Sequence, residues 1–267
     1  MLDQLLANIA IDLKFFRRNR LLLAIAFVFI AVTAIFITGS LVWGSSSGRF
    51  EIVQAIFMQL SYFTSLFTAF LGLLLVSTQV RSKNIKLVLT KPCRPEVWLA
   101  SAFLSAIGVA FLLHIATLLV AIVLSLVWGI PLQAGFAFLT ITAFVRSVII
   151  LGYLVLLTMA FHPVVAVLLA VVFTESTFYE LRMAVLTGIK ATGGNILLPL
   201  LEKSSYLIYM LLPMTTPYEE KYGAVTQSMR VSGELWATSI YSLAYAATLT
   251  LLFYFGSLRL LQRKNLM

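Results

Sequence analysis

Long apolar runs alternate with short charged clusters along this chain. Runs near 21–43, 52–78, 99–128, 137–161, 163–181 and 235–258 each approach or exceed the ~20 mostly apolar residues that a helix needs to cross hydrocarbon. They predict six helical crossings, an all-α polytopic membrane fold, with both chain ends on one side. Arg146 and Glu175 interrupt the fourth and fifth runs. Ahead of the first run, Leu2, Leu5, Leu6, Ile9, Leu13 and Phe16 recur at helical spacing. Asp3, Gln4, Asn8, Asp12 and Arg17 fall largely between them. This pattern predicts an amphipathic elbow helix over 1–20, lying in the interface with its basic end toward anionic headgroups. A poorly ordered basic tail is the plainer alternative. The organisation expected is therefore an interfacial helix at 1–20 followed by a six-span domain over 21–267.

Composition agrees with the pattern. The 267 residues are 61% hydrophobic and 11% charged, whereas soluble domains have about 45–50% and about 25%. The run from Leu21 to Trp43 is longer than the ~7–15 residues of a signal-peptide core, and no A-x-A-like site follows it, so it reads as a retained span. A single cysteine, Cys93, excludes an intramolecular disulfide or a cysteine-based zinc site.

Charge changes the picture by giving it a direction. The net charge of +9 could speak for nucleic acid, but the basic residues sit at the ends of the apolar runs. Lys14, Arg17, Arg18 and Arg20 precede the first run. Arg81, Lys83, Lys86, Lys91 and Arg94 separate the second and third, and Arg259, Arg263 and Lys264 follow the last. The turn at 44–51 holds only Arg49, and the turn at 129–136 holds none. The positive-inside bias therefore predicts a multi-pass protein of the inner (plasma) membrane, with both termini and the 79–98 segment in the cytoplasm and 182–234 outside. Trp43, Trp98, Trp128 and Trp236 fall at the span ends, where interfacial anchors belong.

The segment "QVRSKNIKLVLTKPCRPEVW", Gln79 to Trp98, is too charged and too short of apolar residues to cross. Ile85, Val88 and Leu89 form a small apolar face, with Lys83, Asn84 and Lys86 opposite. Pro92 ends such a helix and Pro95 suits the first turn of the next. A short cytosolic helix of this kind can take force from a partner, its apolar knobs filling a groove and its basic residues choosing an acidic rim. An ordinary positive-inside loop would also satisfy the pattern.

The order of parts resembles the ABC transporter permeases of the drug and polysaccharide exporter class, the type V exporters. "SKNIKLVLTKP", Ser82 to Pro92, is similar to the middle of that family's segment between its second and third spans. "LRLLQRKNL", Leu258 to Leu266, is similar to its terminal motif. The family's acidic residue before the segment is replaced by Gln79, Val80 and Arg81, and its threonine by Asn84. The resemblance implies a permease half that dimerises with an identical or related half and moves cargo outward. Arg81, Lys83, Ile85, Lys86, Val88 and Leu89 would contact a separate ABC ATPase subunit. It also implies short re-entrant helices before the last span. No G-x-x-x-x-G-K-[ST] occurs, so ATP and magnesium would belong to that partner and none to this chain. No H-E-x-x-H or G-x-S-x-G occurs either, and the chain is not expected to be an enzyme. A non-transporting anchor that recruits an ATPase to an envelope secretion or pilus assembly is the rival reading.

Three ionisable residues fall at membrane depth: His114, Arg146 and Glu175. At ~1.5 Å per residue they lie within about one turn of one another in depth. The tight "FHPVV" turn predicts antiparallel fourth and fifth spans and so an Arg146–Glu175 pair, since an isolated charge at mid-bilayer costs about 3 kcal/mol or more. Such a cluster is either part of a polar route or buried structural glue. Asn195 to Pro213, "NILLPLLEKSSYLIYMLLP", is expected as a re-entrant or interfacial helix pair broken at Pro199 and at Glu202-Lys203, or as an outer helix packed on a dimer mate.

Overall fold

The computed structural model describes residues 2–18, 20–43, 48–81, 94–192, 197–213, 225 and 230–265. Every element among them is a helix. In chain order these are α1 (Leu2–Arg18), α2 (Leu21–Trp43), α3 (Arg49–Arg81), α4 (Pro95–Val127), α5 (Ala134–Ala160), α6 (Pro163–Val172), α7 (Glu175–Thr192), α8 (Leu197–Leu211) and α9 (Gly233–Asn265). Among the described residues four helices are long and apolar enough to cross a membrane: Arg49–Leu74 of α3, α4, α5 and Gly233–Arg263 of α9. The bent pair α6 and α7 makes a fifth if it counts as one crossing. The α2 sequence carries no charged side chain over its 23 residues.

The packing runs up and down. At one end of the bundle, Val53 and Phe57 of α3, Ala121 of α4, and Phe136, Phe138 and Leu139 of α5 form a buried cluster. Leu235, near the start of α9, packs against it. Val225 is buried in the same cluster. At the other end, Trp98, Leu99 and Phe103 of α4 meet Val155 and Met159 of α5 and Leu261 of α9. Tyr254 of α9 donates its hydroxyl to the Glu96 carbonyl there, at 2.9 Å. Phe16 of α1 is buried with Leu71 of α3 and with Ala102 and Val109 of α4. Thus α1, the end of α3, the start of α4 and the end of α9 share one end of the bundle.

Small residues let the long helices touch. A methyl placed on Gly72 of α3 would collide with Leu151 of α5, and one on Gly152 would stand 2.9 Å from the Phe253 ring of α9. Association within a bilayer relies on such close contact, because lipid tails offer no hydrophobic contrast to a leucine. The end of α4 is set locally. Gly129 adopts φ +67°, and Ile130 N–H donates to the Ser125 carbonyl at 2.8 Å. This is a Schellman cap, followed by Pro131, which cannot continue the helix.

Four sequence expectations are corrected. The run at 163–181 is not one helix: it breaks at Phe173-Thr174, with a 44° bend between α6 and α7. The Thr174 hydroxyl accepts from the Thr177 N–H at 3.3 Å, which caps a new helix N-terminus where Glu175 faces the positive end of the dipole. The stretch at 197–211 is not broken at Pro199 or at Glu202-Lys203; α8 runs through both. Pro199 sits in its first turn, where a missing N–H costs nothing. The polar face of α1 does not lie wholly in solvent. Asp12 is buried while Leu2, Leu6 and Leu13 are exposed, and the Ser105 hydroxyl of α4 donates to Asp12 Oδ2 at 3.4 Å. Trp98 is packed inside the bundle rather than anchored at its surface.

Candidate functional site

Of the residues expected to contact an ATPase, Lys83, Ile85, Lys86, Val88 and Leu89 lie outside the described residues, and so does the expected coupling helix. Arg81 closes α3, and α4 resumes at Pro95. What the structure does build is a polar layer across the middle of the bundle. It falls there because α3, α4 and α5 carry hydroxyls and one imidazole about 15–24 Å from their ends at the same side of the bundle, at ~1.5 Å per residue.

His114 is buried in α4. Its Nδ1 donates to the Ala110 carbonyl at 2.8 Å, since a carbonyl can only accept. In the neutral ring Nε2 is therefore the acceptor. Ser147 of α5 stands 3.2 Å from that Nε2. The same hydroxyl lies 2.9 Å from Ser65 Oγ of α3 and 2.8 Å from the Ala143 carbonyl. Ser65 in turn donates to the Ser61 carbonyl. One serine proton thus has three acceptors in reach on three helices, and Ser147 is the joint where α3, α4 and α5 meet. Close by, the Thr64 and Thr117 hydroxyls pair at 3.0 Å between α3 and α4. Ser147 was invisible to residue-type reasoning, which looked for charges. Its signal was position: a serine beside Arg146, level with His114.

Arg146 borders a cavity of about 740 Å³ between α3, α5 and the α6–α7 break. Gln59, Ser61, Tyr62 and Ser65 of α3, Thr142 of α5 and Thr174 at the break supply its other polar lining. Leu66, Ala69, Ile150, Ala170 and Val171 supply apolar lining. Thr174, the residue before Glu175, therefore shares this cavity with Arg146. The tight turn at Phe161-His162 is as expected: His162 caps α6, its Nδ1 accepting from Val164 N–H at 3.2 Å, with Pro163 in the first turn. α6 then runs back along α5, where Tyr153 donates to the Phe173 carbonyl at 3.4 Å.

Glu175 is buried and starts a second construction, the α7–α8 hairpin. Glu175, Tyr179 and Arg182 lie on one face of α7; Glu202, Tyr206 and Tyr209 lie on one face of α8. Tyr209 hydrogen-bonds Glu175, and its ring lies 6.3 Å from that of Tyr179. Arg182 meets Glu202 at 3.0 Å and sits 4.4 Å from the Tyr206 ring centroid. Burial pushes the Tyr209 phenol above its ordinary value, and the Glu175 carboxylate pushes it further. Among the described residues no group of three or more His, Cys, Asp or Glu side chains is placed to hold a metal ion.

Among the described residues the fold is thus an all-helical bundle with four to five candidate membrane crossings and a polar layer near the middle of the bundle. No protein-family model and no curated protein matches the chain.

Proposed function

We propose that the chain is the permease half of an ATP-driven ABC transporter. It would work as a homo- or heterodimer in the inner membrane and export cargo using a separate ATPase subunit. Counting α2 as the first crossing and the bent α6–α7 pair as the fifth gives six. The observation that carries the reading is the order and placement of parts. An N-terminal helix packs on the bundle at the end where α3 and α4 open into the basic segment. The short helix α8 follows that bent pair and precedes the last long helix. That is the order the resemblance of Ser82 to Pro92 implies. Lys83, Ile85, Lys86, Val88 and Leu89 would then meet the ATPase on the cytoplasmic side.

Copurification tests this directly. Tagged protein taken from its native membrane in mild detergent should carry a nucleotide-binding subunit. Lys86→Glu combined with Leu89→Asp should release that subunit while leaving the bundle folded. Recovery of the intact chain with no nucleotide-binding subunit would overturn the reading. Labelling of the single cysteine, Cys93, by a membrane-impermeant maleimide should occur only in inverted vesicles.

A further inference from the structure

We propose that the cavity between α3, α5 and α6 binds a single-chain amphiphile with an uncharged, hydrogen-bond-donating head, a long-chain alcohol or polyol. The head sits at Ser65 and Thr142, and the tail runs along Leu66, Ile150 and Val171. The volume of about 740 Å³ suits one small ligand, since such sites span about 300–1,000 Å³. The lining is graded along the helices. Among the described residues, the lining beyond Ser65 on α3 and Arg146 on α5 is apolar, at Leu66, Ala69 and Ile150. The mouth is on the surface of the bundle, where Tyr62, Leu66 and Val171 are 59%, 49% and 67% exposed. In a bilayer that surface meets acyl chains, so a lipid-like molecule can enter sideways, tail already solvated.

The donor character of the head follows from where the lining hydroxyls spend their protons. Ser65 Oγ donates to the Ser61 carbonyl at 3.0 Å. Thr142 Oγ1 donates within its own helix too, with the Phe138 and Leu139 carbonyls at 3.2 and 3.0 Å. A hydroxyl has one proton and two lone pairs. With both protons turned back onto helix carbonyls, these oxygens offer the cavity lone pairs, and Ser147, 2.9 Å from Ser65 Oγ, can fill only one of them. A hydroxyl head completes the pattern, whereas an ether of the same size brings one more acceptor and leaves it open. Gln59 and Tyr62 can each donate or accept, so they do not select. Arg146 already has a partner within the chain, so its presence in the wall does not call for an acid. The proposal concerns binding by this chain alone and holds with or without an ATPase.

The test uses the full chain in phosphatidylcholine nanodiscs and a long-chain alcohol carrying a diazirine in its tail. Irradiation should label α3, α5 or α6 at the apolar end of the cavity. Oleyl alcohol should suppress that labelling at a mole fraction in the disc at least about threefold below that needed by oleyl methyl ether, the gain expected of one neutral hydrogen bond. Thr142→Val keeps the shape and removes an acceptor, so it should narrow the difference, and adding Ser65→Ala should abolish it. Thr158→Val removes an α5 hydroxyl that also donates to its own helix but lies outside the cavity, and should leave the difference intact. Ile150→Trp, and independently Ala69→Phe should one variant misfold, should suppress the labelling by filling the apolar end. Equal competition by alcohol and ether, labels confined to other helices, a preference that survives loss of both hydroxyls, or wild-type labelling in a folded cavity-filling variant would overturn the proposal. None of these outcomes bears on ATPase copurification.

Discussion

Replacing Ser147 with alanine removes one hydroxyl and disconnects three helices. Ser147 Oγ lies 2.9 Å from Ser65 of α3 and 3.2 Å from His114 of α4. Hydrogen bonds between helices in a membrane average about 0.6 kcal/mol and reach about 1.7. Two such links give about 1–2 kcal/mol. The upper part of that range is expected, because His114 is only 1% exposed and its Nε2 would lose a partner, which costs about 1–3 kcal/mol for a buried group. Equilibrium unfolding in mixed micelles with rising dodecyl sulfate should therefore show Ser147→Ala destabilised by about 13- to 30-fold in the folding constant. A double-mutant cycle with Ser65→Ala separates the α3 link from the α4 link, with a coupling of about 0.5 kcal/mol expected for adjacent partners. A loss below about 0.3 kcal/mol together with zero coupling would refute the joint. The polar layer would then be merely tolerated rather than holding α3, α4 and α5 in register.

Other consequences are equally open to measurement. Gly72→Val should destabilise the α3–α5 contact by about 1–3 kcal/mol through overpacking against the fully buried Leu151. Gly108→Ala, with nothing near the added methyl, should stabilise α4 by about 0.5–1 kcal/mol; the same unfolding titration reads both. Arg182→Ala removes a part-exposed ion pair and a cation–π contact, and should loosen the α7–α8 hairpin by about 1 kcal/mol, seen as faster amide exchange confined to α8. Raised in the folded state, the Tyr209 phenol contributes stability that is fully present below its ordinary value of about 10 and is lost as pH climbs through the higher folded value. Tyr209→Phe should flatten the alkaline limb of the stability profile.

The long helices were legible because a 20-residue apolar run admits one structure in hydrocarbon, where every backbone group must be satisfied internally. The bounds of α4 and α5 follow from Pro95, Gly129 and the His162-Pro163 cap, all readable as local chemistry. The break at Thr174 was readable too: "TEST" is a capping threonine with an acid in the first turn, set inside an apolar run that hid it. The face of α1 was not. Periodicity assigned Asp12 to solvent, but α1 packs on α4, where Asp12 is buried and accepts from the Ser105 hydroxyl, while Leu2, Leu6 and Leu13 stay exposed. Similarly, Pro199 and Glu202 look like breaks only when the partner helix is unknown; Arg182 holds Glu202 in place. The mid-depth placement of His114 and Arg146 could be counted from helix ends, whereas the cavity beside Arg146 depends on where α6 stops.

That stop also constrains how the protein is made. With 10 residues, α6 is about 15 Å long, half the hydrocarbon thickness, so an insertion machinery sampling it alone would find too little apolar length to release it into lipid. Only with α7, beyond the bend at Phe173-Thr174, does the run reach the apolar length of one crossing, so that crossing is complete only after the second helix of the pair has been made.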